Sequence, residues 1–209
     1  NLALTKFAVP TTFSKELLAA ADALIEAGQP DETALDVFSP ALTCWVIDNE
    51  STRDRDDGFS ITREPDGSFL LWVHIADAAR FITPDSPLDR EARRRATTLY
   101  LPEGNIPMLP GDLSERFLSL NQDSRRAVIA QRIHIAEDGT ILNHRFSEHL
   151  VTIGRATDYS SADSLIGREK EIDLGLALAA LLKRKRQESG GLIMPQRPEG
   201  KFTVENGRI

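Results

Sequence analysis

Thr43-Cys44-Trp45-Val46-Ile47-Asp48-Asn49-Glu50-Ser51-Thr52-Arg53-Asp54-Arg55-Asp56-Asp57-Gly58-Phe59-Ser60-Ile61 is the stretch on which the reading of this chain turns. Four aspartates, Asp48, Asp54, Asp56 and Asp57, stand close together, and Glu50 adds a further carboxylate. Charges this near repel, and each raises the pKa of its neighbours. The run is tolerated if it points into water or if cations neutralise it. Its flanks, Thr43 to Ile47 and Gly58 to Ile61, read as buried strands. A carboxylate-rich loop between two core strands is a place where a hard cation is held by oxygen ligands.

Oxygen-only donors suit Mg²⁺, Mn²⁺ or Ca²⁺ rather than zinc. Mg²⁺ takes one or two carboxylates, keeps waters and completes its shell with substrate phosphate. Two such ions clamp the attacking and leaving oxygens of a phosphodiester. The helix-loop-helix calcium pattern fails here, because counting from Asp48 its glycine position holds Arg53 and its closing glutamate position holds Phe59. From charge spacing alone, a metal site and a solvated acidic turn both stand.

Outward from the loop, strands are expected over 58–63 and 68–75, joined by the turn Glu64-Pro65-Asp66-Gly67. Phe69 to Ile75 is almost wholly apolar and predicts a central strand buried on both faces. It carries His74, read as a core histidine with bonded ring nitrogens in preference to a ligand; Asp77 follows as a helper or turn residue. Upstream, residues 12–28 predict an amphipathic helix with Ser14 as N-cap and Gly28 as stop. Downstream, Ser86-Pro87-Leu88-Asp89 opens a helix with Arg93, Arg94 and Arg95 near its negative end, where they complement the dipole. A tyrosine at 100 reads as core. The proline-rich loop 102–111 is stiff, and Leu113 to Leu120 reads as a short helix or turn. Strands at 127–136 and 140–153 meet at Asp138-Gly139. His134, His144 and His149 lack ligand spacing and are expected on exposed strand positions. Residues 155–167 read as irregular, with Ser160-Ser161 a candidate cap. A long helix over 169–188 ends in Lys183-Arg184-Lys185-Arg186, which fits either a helix terminus or a phosphate-facing stripe. After Gly190-Gly191, residues 191–194 and 201–204 read as a strand pair.

The chain has 209 residues, 41% hydrophobic and 27% charged, ordinary values for a globular protein. No run approaches a membrane span and no secretory signal is visible. Cys44 is the only cysteine, so no internal disulfide forms and an intracellular, cytoplasmic home is expected. A net charge of −7 argues against a simple electrostatic nucleic-acid binder, though part of it is the aspartate cluster itself.

Several of these segments, in order, resemble one family. Ile47-Asp48 followed by Asp54-Arg55-Asp56-Asp57, then His74-Ile75-Ala76-Asp77, then Ser86-Pro87-Leu88-Asp89 with Glu91, Ala92 and Arg94, are similar to the catalytic domain of the ribonuclease II / ribonuclease R family. So are Tyr100-Leu101-Pro102, Ile106-Pro107-Met108-Leu109-Pro110, Leu113-Ser114 and Ser119-Leu120-Asn121. The resemblance covers about residues 41 to 205. It implies an α+β fold with a mixed, mostly antiparallel sheet and flanking helices. Residues 1–40 would be a helical linker to an upstream domain, and 41–209 the N-terminal part of the catalytic domain. The rest of that domain, with an arginine near the scissile phosphate, and an OB-type RNA-binding domain would lie elsewhere in a longer protein.

The implied activity is processive 3′-to-5′ hydrolysis of single-stranded RNA to nucleoside 5′-monophosphates. Asp48 and Asp57 would be ligands of one Mg²⁺, replaceable by Mn²⁺; Asp54 and Asp56 would serve a second ion and the attacking water. Tyr100, by resemblance, stacks on the terminal base, which suits a sequence-indifferent enzyme. Met194 stands where some relatives carry an aromatic, so a two-sided base clamp is not implied. Two other readings remain: an inactive RNA-binding or regulatory relative, and a structural Ca²⁺-binding domain, in which Tyr100 and the basic clusters are idle.

Overall fold

The structure, a computed structural model, describes residues 2–30, 35–39 and 41–192. Met194 and its expected strand pair lie outside the described residues. In chain order the elements are α1 (Leu2–Lys6), α2 (Lys15–Ala27), β1 (Cys44–Asp48), β2 (Asp57–Arg63), β3 (Phe69–Ala76), α3 (Ala78–Phe81) and α4 (Pro87–Arg95). There follow β4 (Leu99–Leu101), β5 (Gly104–Ile106), a π-type helical segment (Asp112–Leu118), β6 (Arg125–Ile135), β7 (Ile141–Asp158), α5 (Tyr159–Ser164) and α6 (Lys170–Glu188). The fold is α+β with a mixed, mostly antiparallel sheet. Two compact units divide it, one of residues 2–28 and 78–117, the other of residues 29–77 and 118–192.

The larger unit is a closed five-stranded barrel in the order β1-β2-β3-β6-β7. All neighbours are antiparallel except β1 and β7, whose parallel pairing closes the ring from Cys44 opposite Ile153 to Asp48 opposite Asp158. Two tight turns make the hairpins possible. Gly67 and Gly139 adopt φ of +84° and +83°, the left-handed region open to glycine at little cost. One core cluster joins Cys44, Val46, Val128, Ala130, Val151 and Ile153, with Trp72 and Ala76 packed against it. Phe38 belongs to this cluster and meets Trp72 and His74 edge-on at 5.1 and 4.6 Å between ring centroids. A second cluster, Ile61, Phe69, Ile135 and Leu178, is joined by Leu71, Leu174 and Leu181 and seats α6 on the barrel.

Barrel closure corrects three expectations. β3 is central but not wholly buried: one face turns inward with the fully buried His74, while on the other α6 covers Phe69 and Leu71 and leaves Ile75 exposed. β7 does not stop near 153: past its pairing with β6 it changes partner to β1 and continues to Asp158. Residues 155–158 are therefore strand and 159–164 helix, capped by Asp158 rather than Ser160 or Ser161. Only His144 among the three downstream histidines is exposed. His149 turns toward Trp72 and Phe38, and His134 bonds Ser68 Oγ at 2.8 Å.

The smaller unit is held by charge and capping. Ser14 accepts from the N–H of Leu17, and Gly28 closes α2 at φ +79°. Ser86 accepts from the Asp89 N–H at the start of α4, with Pro87 next to it. At the far end of α4, Arg93 pairs with Asp85 and Asp89, and Arg94 with Glu91 at 2.6 Å. The Arg95 side chain, only 3% exposed, pairs with Glu91 at 2.8 Å. It also donates to the carbonyls of Pro10, Thr12 and Pro107, and stacks on the Phe13 ring at 3.8 Å. All three arginines thus have protein partners beyond the helix dipole.

Candidate active site

The aspartate loop lies in the barrel unit, between the end of β1 and the start of β2. Asp48 is the last residue of β1 and Asp57 the first of β2; Asp54 and Asp56 lie on the connecting chain. Most of that connection is not a free turn. The Ala76 N–H donates to the Asp56 carbonyl at 2.8 Å, extending the β2–β3 ladder by one bond. On the other side, the buried Ser119 donates its hydroxyl to the Arg53 carbonyl at 2.8 Å and accepts from the Arg55 N–H at 3.0 Å. The Leu120 N–H donates to the Arg55 carbonyl at 2.9 Å, and the Arg55 guanidinium reaches Asn121 Oδ1 at 3.2 Å. Asp48 accepts at Oδ1 from its neighbour's backbone N–H at 2.6 Å and from Thr52 Oγ1 at 2.9 Å.

The carboxylates act on one another. Partial burial of its carboxyl, then the charges of Asp54, Asp57 and Asp48, hold Asp56 above the usual carboxylate range. A position that gathers three like charges is electrostatically suited to a divalent cation. Even so, among the described residues no group of three or more His, Cys, Asp or Glu side chains is drawn together closely enough to hold a metal ion by itself.

Neither charge spacing nor motif singles out Asp158. It stands in register beside Asp48, yet its carboxylate caps α5 by accepting from Ser161 Oγ at 2.7 Å and Ser161 N–H at 2.9 Å. Those bonds hold it below the usual carboxylate range, so it is committed to the helix rather than to the cluster. Asp77 is buried just past β3, with its N–H on the Ala127 carbonyl at 3.1 Å. His74 is a core histidine as expected, but only Nε2 is bonded, to Ser60 Oγ at 3.1 Å; Nδ1 has no hydrogen-bond partner among the described residues. Burial, then His149, pushes its pKa down to about 4.

Tyr100 belongs to the other unit, in the small β4–β5 hairpin opposite Asn105. The residue is 64% exposed, which overturns the expectation of a core residue. The hairpin also shows that the proline-rich loop 102–111 contains a strand. A cavity of about 430 Å³ lies elsewhere in the barrel unit, between the outer face of β2–β3 and helices α5 and α6. Its lining is apolar apart from Tyr159 and Asp163, so it offers little for phosphate chemistry. No helix among the described residues is long and apolar enough to cross a membrane.

With this geometry in place, the similarities become informative. The family model described as RNB domain matches residues 40–209. The chain is 36% identical over 201 residues to "Exoribonuclease 2" of Yersinia pestis, covering 90% of this chain and 31% of that one. It is 32% identical over 196 residues to "Ribonuclease II, chloroplastic/mitochondrial" of Arabidopsis thaliana, covering 92% of this chain and 24% of the relative. The chain thus spans about a quarter to a third of the length of these relatives. Among solved structures it matches Mycoplasma genitalium RNase R in complex with ribose methylated single-stranded RNA, with a TM-score of 0.85 at 21% identity over 98% of this chain and 33% of that one. It also matches yeast Ssd1, a pseudonuclease, with a TM-score of 0.67 at 16% identity over 78% of this chain and 21% of that one. At those identities both structures speak to the fold alone.

Proposed function

Since the chain belongs to the RNB-domain family, we propose that it carries the metal-binding aspartates of a 3′-to-5′ exoribonuclease that degrades single-stranded RNA to nucleoside 5′-monophosphates. The observation that carries this reading is the convergence of charge on Asp56 within a loop bonded to the chain on both sides. Such an arrangement costs stability without a ligand, and strained electrostatics of this kind cluster at functional sites.

Asp48 and Asp57 would hold one Mg²⁺ against the scissile phosphate, with Mn²⁺ a substitute. Asp54 and Asp56 would serve a second ion, directly or through water. Bound there, the metal lowers the pKa of its water and offsets charge building on the phosphoryl oxygens. Asp56 would orient the attacking water, because it sits centrally among the four carboxylates. Thr52 holds Asp48 in one orientation through its hydroxyl. The exposed ring of Tyr100 offers a face on which any terminal base can stack, so this contact carries no sequence preference. Discrimination of RNA from DNA falls to contacts with the 2′-hydroxyls. The remainder of the catalytic domain and an OB-type domain of the full-length protein would complete the RNA path, and a soluble cytoplasmic enzyme fits this work.

A gel assay tests the reading. Full-length protein is incubated with 5′-labelled poly(A) in Mg²⁺, in Ca²⁺ and in EDTA, beside Asp56→Asn. A short labelled end product that requires Mg²⁺ and disappears in the variant is the expected result. Intact RNA in every lane, with the protein folded and still binding RNA, would instead make it an inactive RNA-binding relative. The similarity to a pseudonuclease makes that outcome a specific competitor, since one fold serves both roles.

A further inference from the structure

We infer that Ser119 is a positioning residue for the metal-binding aspartates, an inference that rests on the function proposed above. Ser119 lies at sequence distance from the loop and carries no charge, so neither charge pattern nor spacing marks it. Its hydroxyl is buried and fully engaged: it donates to the carbonyl before Asp54 and accepts from the N–H after it. One hydroxyl therefore spans the backbone groups on either side of Asp54. The adjoining Leu120 N–H on the Arg55 carbonyl then fixes the peptide that leads into Asp56. Ser119 is itself held, because Arg126 Nε donates to its carbonyl at 3.0 Å.

These bonds set where two carboxylates begin. With the Arg53 carbonyl, the Arg55 N–H and the Arg55 carbonyl tied to residues 119–120, and the Asp56 carbonyl tied to Ala76, little backbone freedom remains between Arg53 and Asp57. Four carboxylates that repel one another would otherwise splay by rotating that backbone. The clamp limits that splaying before any cation arrives: the side chains still have to close on the ion, but the backbone beneath them is already ordered, so less affinity is lost to ordering. Ser119 does this without touching metal or substrate. Outer contacts of this kind typically contribute about 10–100-fold in metal affinity or activity.

The test titrates Mn²⁺ into full-length wild type, Ser119→Ala and Ser119→Cys without RNA, reading free Mn²⁺ by electron paramagnetic resonance well below each protein's Tm in EDTA. Ser119→Ala is expected to bind Mn²⁺ about 10-fold more weakly. Ser119→Cys, near in size but a weak hydrogen-bonding partner, is expected to lose affinity in the same direction. Activity should then recover toward wild type as Mg²⁺ is raised, with KM for RNA unchanged. Folded variants that bind Mn²⁺ like wild type would overturn the inference and leave Ser119 a core residue. If Ser119→Ala does not fold, the Cys variant decides alone. A wild type that binds no Mn²⁺ would instead sink the proposed function, and this inference with it.

Discussion

Two regions of this molecule concentrate charge, and they treat it in opposite ways. In the middle of α4, Glu91 meets the arginines of its last turn; hydrogen bonds from Arg94, then Arg95, pull its carboxyl down to about 2. In the β1–β2 loop, Asp56 lies among aspartates and is held above the usual range by burial and like charge. The first carboxylate finds its counter-charge one helical turn away. The charges that shift the second, those of Asp54, Asp57 and Asp48, are all of its own sign, and its backbone is clamped so that it cannot retreat. A compensated cluster stabilises the fold by itself, whereas a clamped and uncompensated one is suited to an external cation.

The largest effect that would break this contrast is catalytic. Asp56→Asn should lower RNA turnover by about 10³-fold, the scale of losing a principal electrostatic group, while its melting temperature in EDTA does not fall. Normal turnover would remove Asp56 from the chemistry. Mg²⁺ at about 100 times its Kd should stabilise wild type by roughly 2.7 kcal/mol and the variant by less, read as a thermal shift. An equal shift in both would mean that the ion binds elsewhere.

The compensated region should respond through stability instead. Arg95→Ala leaves Glu91 with Arg94 alone and takes the guanidinium away from three carbonyls, at a cost of about 1–3 kcal/mol. Arg95→Lys should restore little of it, since one ammonium cannot serve that fork or stack on Phe13 in the same way. Denaturant titration of the two variants decides. A loss below about 1 kcal/mol, the range of a surface ion pair, would mean that the cluster is not structural.

Acid separates two titratable groups. His74 has a folded pKa of about 4 against an ordinary 6.5, so the unfolded chain takes up its proton first. Stability therefore falls as pH drops from 6.5 to 4, by on the order of 3 kcal/mol for a shift of that size. Glu91 has its folded pKa lowered from 4.5 to about 2, so its contribution is present above pH 4.5 and is lost as pH falls through 2. A His74→Gln variant should flatten the upper window and leave the lower one. Unchanged acid unfolding between pH 6.5 and 4 would mean that His74 is protonated in the folded state.

The smallest effect concerns Tyr100. Tyr100→Ala should weaken binding of an RNA 3′ end by about 1–3 kcal/mol, while Tyr100→Phe, which keeps the ring, should bind like wild type. Equal binding by the alanine variant would remove the stacking role.

How much of this was legible depended on how local the cause was. Helix α2 with Ser14 and Gly28, helix α4 with Ser86 and Pro87, and the hairpin turns at Gly67 and Gly139 all follow from neighbours within a few residues. The four aspartates were legible for the same reason, since their repulsion follows from proximity in the chain. β3 misled, because its apolar residues face the barrel interior on one side and α6 on the other, which hides the period-two pattern. The end of β7 misled because its last residues pair with β1, far away in sequence.

By itself, the sequence determined the acidic loop, most of its flanking elements and the order of motifs that marks the family. Tertiary structure alone decided that β1 and β7 close a barrel, that Arg95 is a buried hub and Tyr100 an exposed ring, and that Ser119 lies against the loop. The reason is physical. Caps, turns and charge repulsion act over a few residues, whereas closure and clamping join groups more than sixty residues apart, and only packing of the whole chain brings those together.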